Sequence, residues 1–544
     1  MPEKNLPARP NLEQYRKQAK DLARKCILGV PEALARVRRH HPRFNRALDA
    51  DLAATRVSLT DAQLVIAREH GFESWPKFSA HIVTLNLTAS AASITDPVSA
   101  FIEAACVPRD ASHVSGTLEQ AELILARYPD AARANIYTAA ILADDASVRS
   151  FLARDPARAT ATGGPHGWNP LTYLCFSRYL RIDRARSEGF VRTAKALLDA
   201  GASANTGWFE MNEDPPIFES AIYGAAGVAQ HSEVTRLLLE HGADPNDEET
   251  PYHVPEGYDN TVMKVLLESG KLNERSLTWM LVRKTDWHDL DGVRLALEHG
   301  ADPNAIPKWG NNALQHALRR DDALEIIELL LEHGADPALR NSVDGRSATA
   351  MAARRGRGDV LALLEQRGFD LKLEGVDVLI AACARKDTAV IRAMRAEHPE
   401  LARELLSEGG TLLAEFAGTG NMEGVGCLLD LGVPPDSPYE QGDVYFDIAK
   451  GSTALHVAAW RAWQETLKLL VLRGAPVNAL DGKGRSALAL AVRACVDSYW
   501  KHRRSPDSVA ALLEAGASTI GIDIPCGFDE VDNLLIQFKK EDQM

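Results

Sequence analysis

Cysteine is scarce and scattered: seven in 544 residues, at Cys26, Cys106, Cys175, Cys383, Cys427, Cys495 and Cys526. No two stand close enough to make a CxxC pair, and the count is odd. Both facts argue against a disulfide framework and against a thiolate metal site. Most are expected to be buried small hydrophobes. Long apolar runs are missing as well; none approaches the roughly 20 residues that cross a bilayer. The N-terminal MPEKNLPARP holds no apolar stretch that would act as a secretory signal. A cytoplasmic protein with no membrane partner is therefore expected. Catalytic signatures are absent too: no HExxH, GxSxG, Walker loop or EF-hand loop occurs. No catalytic residue, cofactor or metal is expected, and an unrecognised enzyme stays only as an alternative.

The chain is far longer than a single hydrophobic core supports, so several domains or a repeat array are expected. Net charge is −14, unevenly spread. Residues 1–46 hold 12 Lys and Arg against 4 Asp and Glu, about +8, which leaves about −22 for the remainder. An acidic body repels phosphates, so nucleic acid is disfavoured as a partner of the whole. The basic head keeps open a second alternative, a regulator that contacts nucleic acid through its N-terminal module.

One segment recurs: RLLLEHGADPN at 236–246, RLALEHGADPN at 294–304 and ELLLEHGADPA at 328–338, with weaker copies near 195, 468 and 511. Its apolar positions fall at helical spacing, so one face is buried. Gly follows directly, as where a helix ends in a left-handed residue, and Asp-Pro-Asn is turn chemistry. The glycines give a ruler: Gly201, Gly242, Gly270, Gly300, Gly334, Gly368, Gly432, Gly474 and Gly516. The gap of 64 between Gly368 and Gly432 hides one more unit, with His398-Pro399 where the glycine should be. A second pattern precedes the glycine by 19 residues, as in Leu455 to Gly474, Thr349 to Gly368 and Leu413 to Gly432. A small-residue helix, a tight turn and a Leu-rich helix of fixed length make a helix hairpin, with Thr or Ser capping its first helix.

GSTALHVAA at 451–459 followed by KLLVLRGAPVN at 468–478 resembles the ankyrin repeat, whose period is about 33. The resemblance implies an all-α fold: an ankyrin-repeat solenoid of about twelve helix hairpins over 98–525. A basic N-terminal helical module at 1–90 and a C-terminal capping helix at 526–544 flank it. It also implies a monomeric protein-binding scaffold or adaptor, whose protein partner meets the concave face and hairpin loops. Leu238, Leu297, Leu330, Leu364, Leu428 and Leu470 should fill the seam between repeats, each worth roughly 1.5–3 kcal/mol.

In the head, Leu12, Tyr15, Ala19 and Leu22 share one face of a helix over 11–27. SLTDAQLVIAREHGFESWPKFSAHI at 58–82 reads as two short helices capped by Thr60 and Ser74. The combination is similar to a helical module that often opens bacterial ankyrin-repeat proteins, and a polar cap on the array is the expected role. In the tail, Leu534, Leu535 and Phe538 should cover the last repeat, with Lys539 and Lys540 at the negative helix end. His253 and His456 occupy the His of the repeat motif and should bond nearby backbone; His288 should sit in a solvated loop. Two insertions, one with Arg178, Arg181, Arg184 and Arg186 and one with Lys501, Arg503 and Arg504, offer possible contacts for acidic ligands. Aromatics are only 6% of the chain, so those in projecting loops stand out: Trp208, Phe209, Trp309, Tyr439, Tyr445 and Phe446 are the candidate partner-binding residues.

Overall fold

Short polar side chains start the first helices of the hairpins. The side chains of Asn135, Asn169, Ser220, Asn273, Asn312, Ser347 and Ser486 each accept the backbone N–H three residues on. Asparagine thus does much of the capping expected of Thr and Ser, since its carbonyl reaches the same orphan donors. At the far end of most units the ruler glycines adopt φ between 64° and 105°, the left-handed region that disfavours a Cβ. His241, His299 and His333, one residue earlier, place Nδ1 2.8–2.9 Å from the carbonyls of Leu237, Leu295 and Leu329.

The structure is a computed structural model that describes residues 4–7, 10–45, 57–92, 94–109 and 111–541. The chain divides into two compact units. The first comprises Val83–Asp336 with Asn341–Asp344 and holds seven hairpins. Their first helices run from Pro97–Ala105 through Pro170–Cys175 and Glu274–Asp286 to Ala313–Arg319, and their second helices from Glu119–Arg127 to Leu324–Glu332. First helices pack on first helices and second on second, as with 274–286 on 313–319 and 187–199 on 232–240. One antiparallel hairpin projects from this unit, β1 (Gly207–Glu210) against β2 (Ile217–Ser220).

The other unit comprises Met1–Ile82, Pro337–Arg340 and Gly345–Met544. Five hairpins lie in it, from Ala348–Arg354 with Gly358–Gln366 to Ala487–Asp497 with Asp507–Glu514. The unit hidden in the long glycine gap is Val376–Ala384 with Thr388–Glu397, and an extra helix, Pro399–Ser407, follows it. Two short strands, β3 (Pro438–Tyr439) and β4 (Ser452–Thr453), pair antiparallel before the fourth of these hairpins. Twelve helix pairs are present among the described residues, and the six seam leucines are all buried. The closing helix, Asp529–Glu541, buries Leu535 and packs on Asp507–Glu514; the side chains of Lys539 and Lys540 lie outside the described residues.

The head forms helices Leu12–Ile27, Pro31–His40, Leu59–Glu69 and Trp75–Ala92. Tyr15, Leu22, Val37, Val65 and Phe78 share one core there. Ser58, not Thr60, caps the third helix, because Ser58 and Asp61 exchange side-chain and backbone bonds in a capping box. Part of the head's positive charge is partnered: Arg36 and Lys4 both hold the buried Glu69, Arg24 and Lys25 hold Asp21, and Arg16 holds Glu13. Arg9 and Arg46, counted in the basic segment, lie outside the described residues.

Candidate protein-interaction surface

Strand alternation sorts the candidate aromatics. Along β1, Trp208 faces inward and Phe209 outward, because successive strand residues point to opposite faces. Trp208 is buried against Trp168, Phe176 and His113, with ring centroids 5.1, 5.8 and 5.8 Å away. Phe209 is 58% exposed and leans on Phe218, its cross-strand partner, at 5.0 Å. Met211, at the turn, is 72% exposed. In the same unit Trp309 is half-buried between Trp279 and Tyr252, at 5.2 and 5.7 Å, and Lys308 Nζ stands 4.3 Å over the Trp279 ring.

In the other unit, Tyr439 is buried and its hydroxyl donates to Glu415 Oε1 at 2.5 Å. Phe446 turns inward under the Arg461 guanidinium, 3.8 Å from its ring, while its carbonyl accepts from the Trp460 indole. At the tip of that loop Tyr445 is exposed and Val444 is 96% exposed. The exposed loop position expected of Trp208, Tyr439 and Phe446 therefore does not hold: each ring is used to pack a loop on its own unit. Phe209 is exposed, Tyr445 is exposed but packs edge-on against Phe446 at 4.7 Å, and Trp309 is half-buried. Met211 and Val444 were not among the candidates, since an aliphatic residue in a loop looks ordinary until its place at a tip is known.

The inserted arginines bond or pack within their own unit, while Lys501 is exposed. Arg178 donates to the Ala104 carbonyl at 2.7 Å, Arg181 to Gly116 at 3.0 Å, Arg184 to Ala229 at 2.9 Å and Arg186 to Leu142 at 3.1 Å. Most of these carbonyls lie at or just past the ends of first helices, where acceptors lack intrahelical partners and cations are favoured. In the second insertion Arg503 covers the Trp463 ring at 4.1 Å, and Arg504 donates to the Ser498 carbonyl. These insertions staple hairpins, and their sequence gave no hint of that because the acceptors are backbone atoms.

His456 behaves as its motif position requires: Nδ1 accepts the Thr453 N–H at 3.1 Å and Nε2 reaches the Ala479 carbonyl at 3.0 Å. His253 does not; its nitrogens lie 3.2 Å from Glu249 and 3.1 Å from Glu256. Burial opposes its charged form, but the two carboxylates outweigh that and hold the imidazole at about 9. His288 bonds Asp322, and Asp286 is held by Arg283, His316 and Arg320. Nearby, burial and then the charges of Glu249 and Glu210 push the Glu219 carboxyl up to about 8.

Stacked helix pairs, left-handed glycines at the ends of most units and projecting tips define an all-α repeat protein. Residues 280–374 match the family model for ankyrin repeats in three copies, and residues 450–482 match the model for the single ankyrin repeat. The chain is an ankyrin-repeat domain-containing protein, and ankyrin repeats are generally protein-interaction modules. No curated protein matches it. Among the described residues no helix is long and apolar enough to cross a membrane.

Proposed function

We propose that this protein is a scaffold or adaptor that binds a protein partner through the projecting tips of its ankyrin units. The observation that carries the reading is the set of open apolar side chains at those tips. Phe209 and Met211 stand there in one unit, Val444 and Tyr445 in the other. Water-exposed apolar side chains, clustered and rimmed by polar ones, are what a partner's apolar surface would cover. The rigid packing beneath them, Trp208 under Phe209 and Phe446 beside Tyr445, presents them at low conformational cost.

The test places a photo-crosslinking phenylalanine analogue at position 209 or 445 of the full chain in its native host. Arg236 and Lys468, exposed on second helices, are the control positions. Discrete adducts with one protein at 209 or 445 and not at the controls are expected. Adducts of equal yield at the control positions would remove the tips from the reading.

A further inference from the structure

Three side chains with metal-ligating atoms converge beneath the β1–β2 hairpin. Trp208 opposes Glu219 and Glu210 opposes Ile217 across the strands, so the two carboxylates are diagonal neighbours on the inner face. His113 comes from the loop between Pro97–Ala105 and Glu119–Arg127, about a hundred residues earlier in the chain. Its Nε2 lies 3.8 Å from Glu210 Oε2, and its Nδ1 lies 3.0 Å from the Tyr223 hydroxyl. One ligand atom from each of the three residues falls within 4.8 Å of the others. The His113 and Glu210 side chains are 10% and 19% exposed, and Glu219 is 2% exposed. Glu219 Oε2 has no hydrogen-bond partner.

We propose that His113, Glu210 and Glu219 bind a divalent cation of the first transition row, of the Zn²⁺ or Mn²⁺ kind, which ties the 111–118 loop to the β-hairpin. Two carboxylates turned to the same face of one hairpin cannot both ionise without repulsion, and a buried acceptor with no donor leaves its desolvation cost uncompensated. A cation between them answers both. His253, whose charge bears on Glu219, is already held by Glu249 and Glu256. Tyr223 bonds Nδ1 and so leaves Nε2 to face the carboxylates, the arrangement in which a second partner orients a ligating imidazole. One nitrogen and two carboxylates, with no thiolate, suit Zn²⁺ or Mn²⁺ and leave a coordination position for water. Donors bound at about 2.0–2.2 Å stand roughly 3.3 Å apart in a tetrahedral site, which small side-chain torsions reach from the separations seen. This inference is independent of the partner reading.

The experiment uses the full chain, stripped with a chelator and titrated calorimetrically with ZnCl₂ and with MnCl₂. Thermal melting is followed in parallel. Uptake of one ion per chain with a rise of several degrees in Tm is expected, since a ligand bound only to the folded form stabilises it. Glu219→Gln replaces a ligating carboxylate with an amide without changing shape. It should leave the metal-free Tm unchanged or higher while weakening uptake at least about tenfold. His113→Gln should weaken uptake equally and erase the visible absorption of a Co²⁺-loaded sample. A wild-type chain that takes up neither ion overturns the proposal, and so do variants that take up metal as the wild type does.

Discussion

Lys284 is wholly buried, and what happens on removing its charge follows from its partners. The ammonium donates to Asp289 Oδ2 and to the Gly257 carbonyl, each at 2.9 Å. Asp289, itself buried, accepts from Asn260 at 2.8 Å and caps the helix Leu290–Glu298 through the Gly292 N–H at 3.2 Å. The lysine stem runs so close to Gly292 that a Cβ there would lie 2.5 Å from Lys284 Cδ. Burial pushes the ammonium below the ordinary lysine range, and Asp289 works against that shift. Lys284→Met keeps the stem and deletes the charge, stranding a buried carboxylate. Breaking such a pair costs about 3–5 kcal/mol. Adding Asp289→Asn, which caps a helix as well as Asp does, should restore most of that loss. The assay is urea unfolding by circular dichroism, with hydrogen exchange across residues 249–298, because repeat arrays lose stability locally. A cost under about 1 kcal/mol for Lys284→Met, as for exposed pairs, refutes the reasoning. So does a double variant no more stable than the single one.

Three further outcomes separate packing from display. Trp208→Ala should cost about 3–5 kcal/mol by opening a cavity, whereas Phe209→Ala on the other face should cost less than about 1 kcal/mol; thermal melts of both check this. Arg178→Met removes a charged bond to the Ala104 carbonyl, worth about 1.5–3 kcal/mol. Amides at the end of the helix Pro97–Ala105 should then exchange about ten- to a hundredfold faster, and unchanged exchange would show that the guanidinium does not hold that helix end. His253 has a raised folded-state value near 9, so its contribution is full below the unfolded value of about 6.5 and is lost as pH rises through about 9. His253→Gln should therefore flatten the fall in Tm across that window, and a variant whose Tm falls as steeply as the wild type's would remove the histidine as its source.

The repeat was legible because its chemistry is local. A left-handed Gly, a helical run of leucines and a polar cap each act within about ten residues, so Gly242, Leu238 and Ser486 announce their roles in any short window. Even the unit with His398-Pro399 in place of its glycine could be found by counting. The head's four helices were only partly legible, since a core shared by Tyr15, Val37 and Phe78 draws on residues far apart.

The sequence alone determined the class of fold, the number of hairpins and the leucine seam between them, because each depends on spacing along one chain segment. Tertiary structure alone decided which loop rings are open and which are packed. The pocket for Trp208 is assembled from Trp168, Phe176 and His113, and the acceptor for Arg178 is a backbone atom 74 residues away. Strand register then turned Phe209 to water and Glu219 inward, because a change of one residue exchanges the two faces. That choice rests on pairing, and pairing is a property of the folded chain.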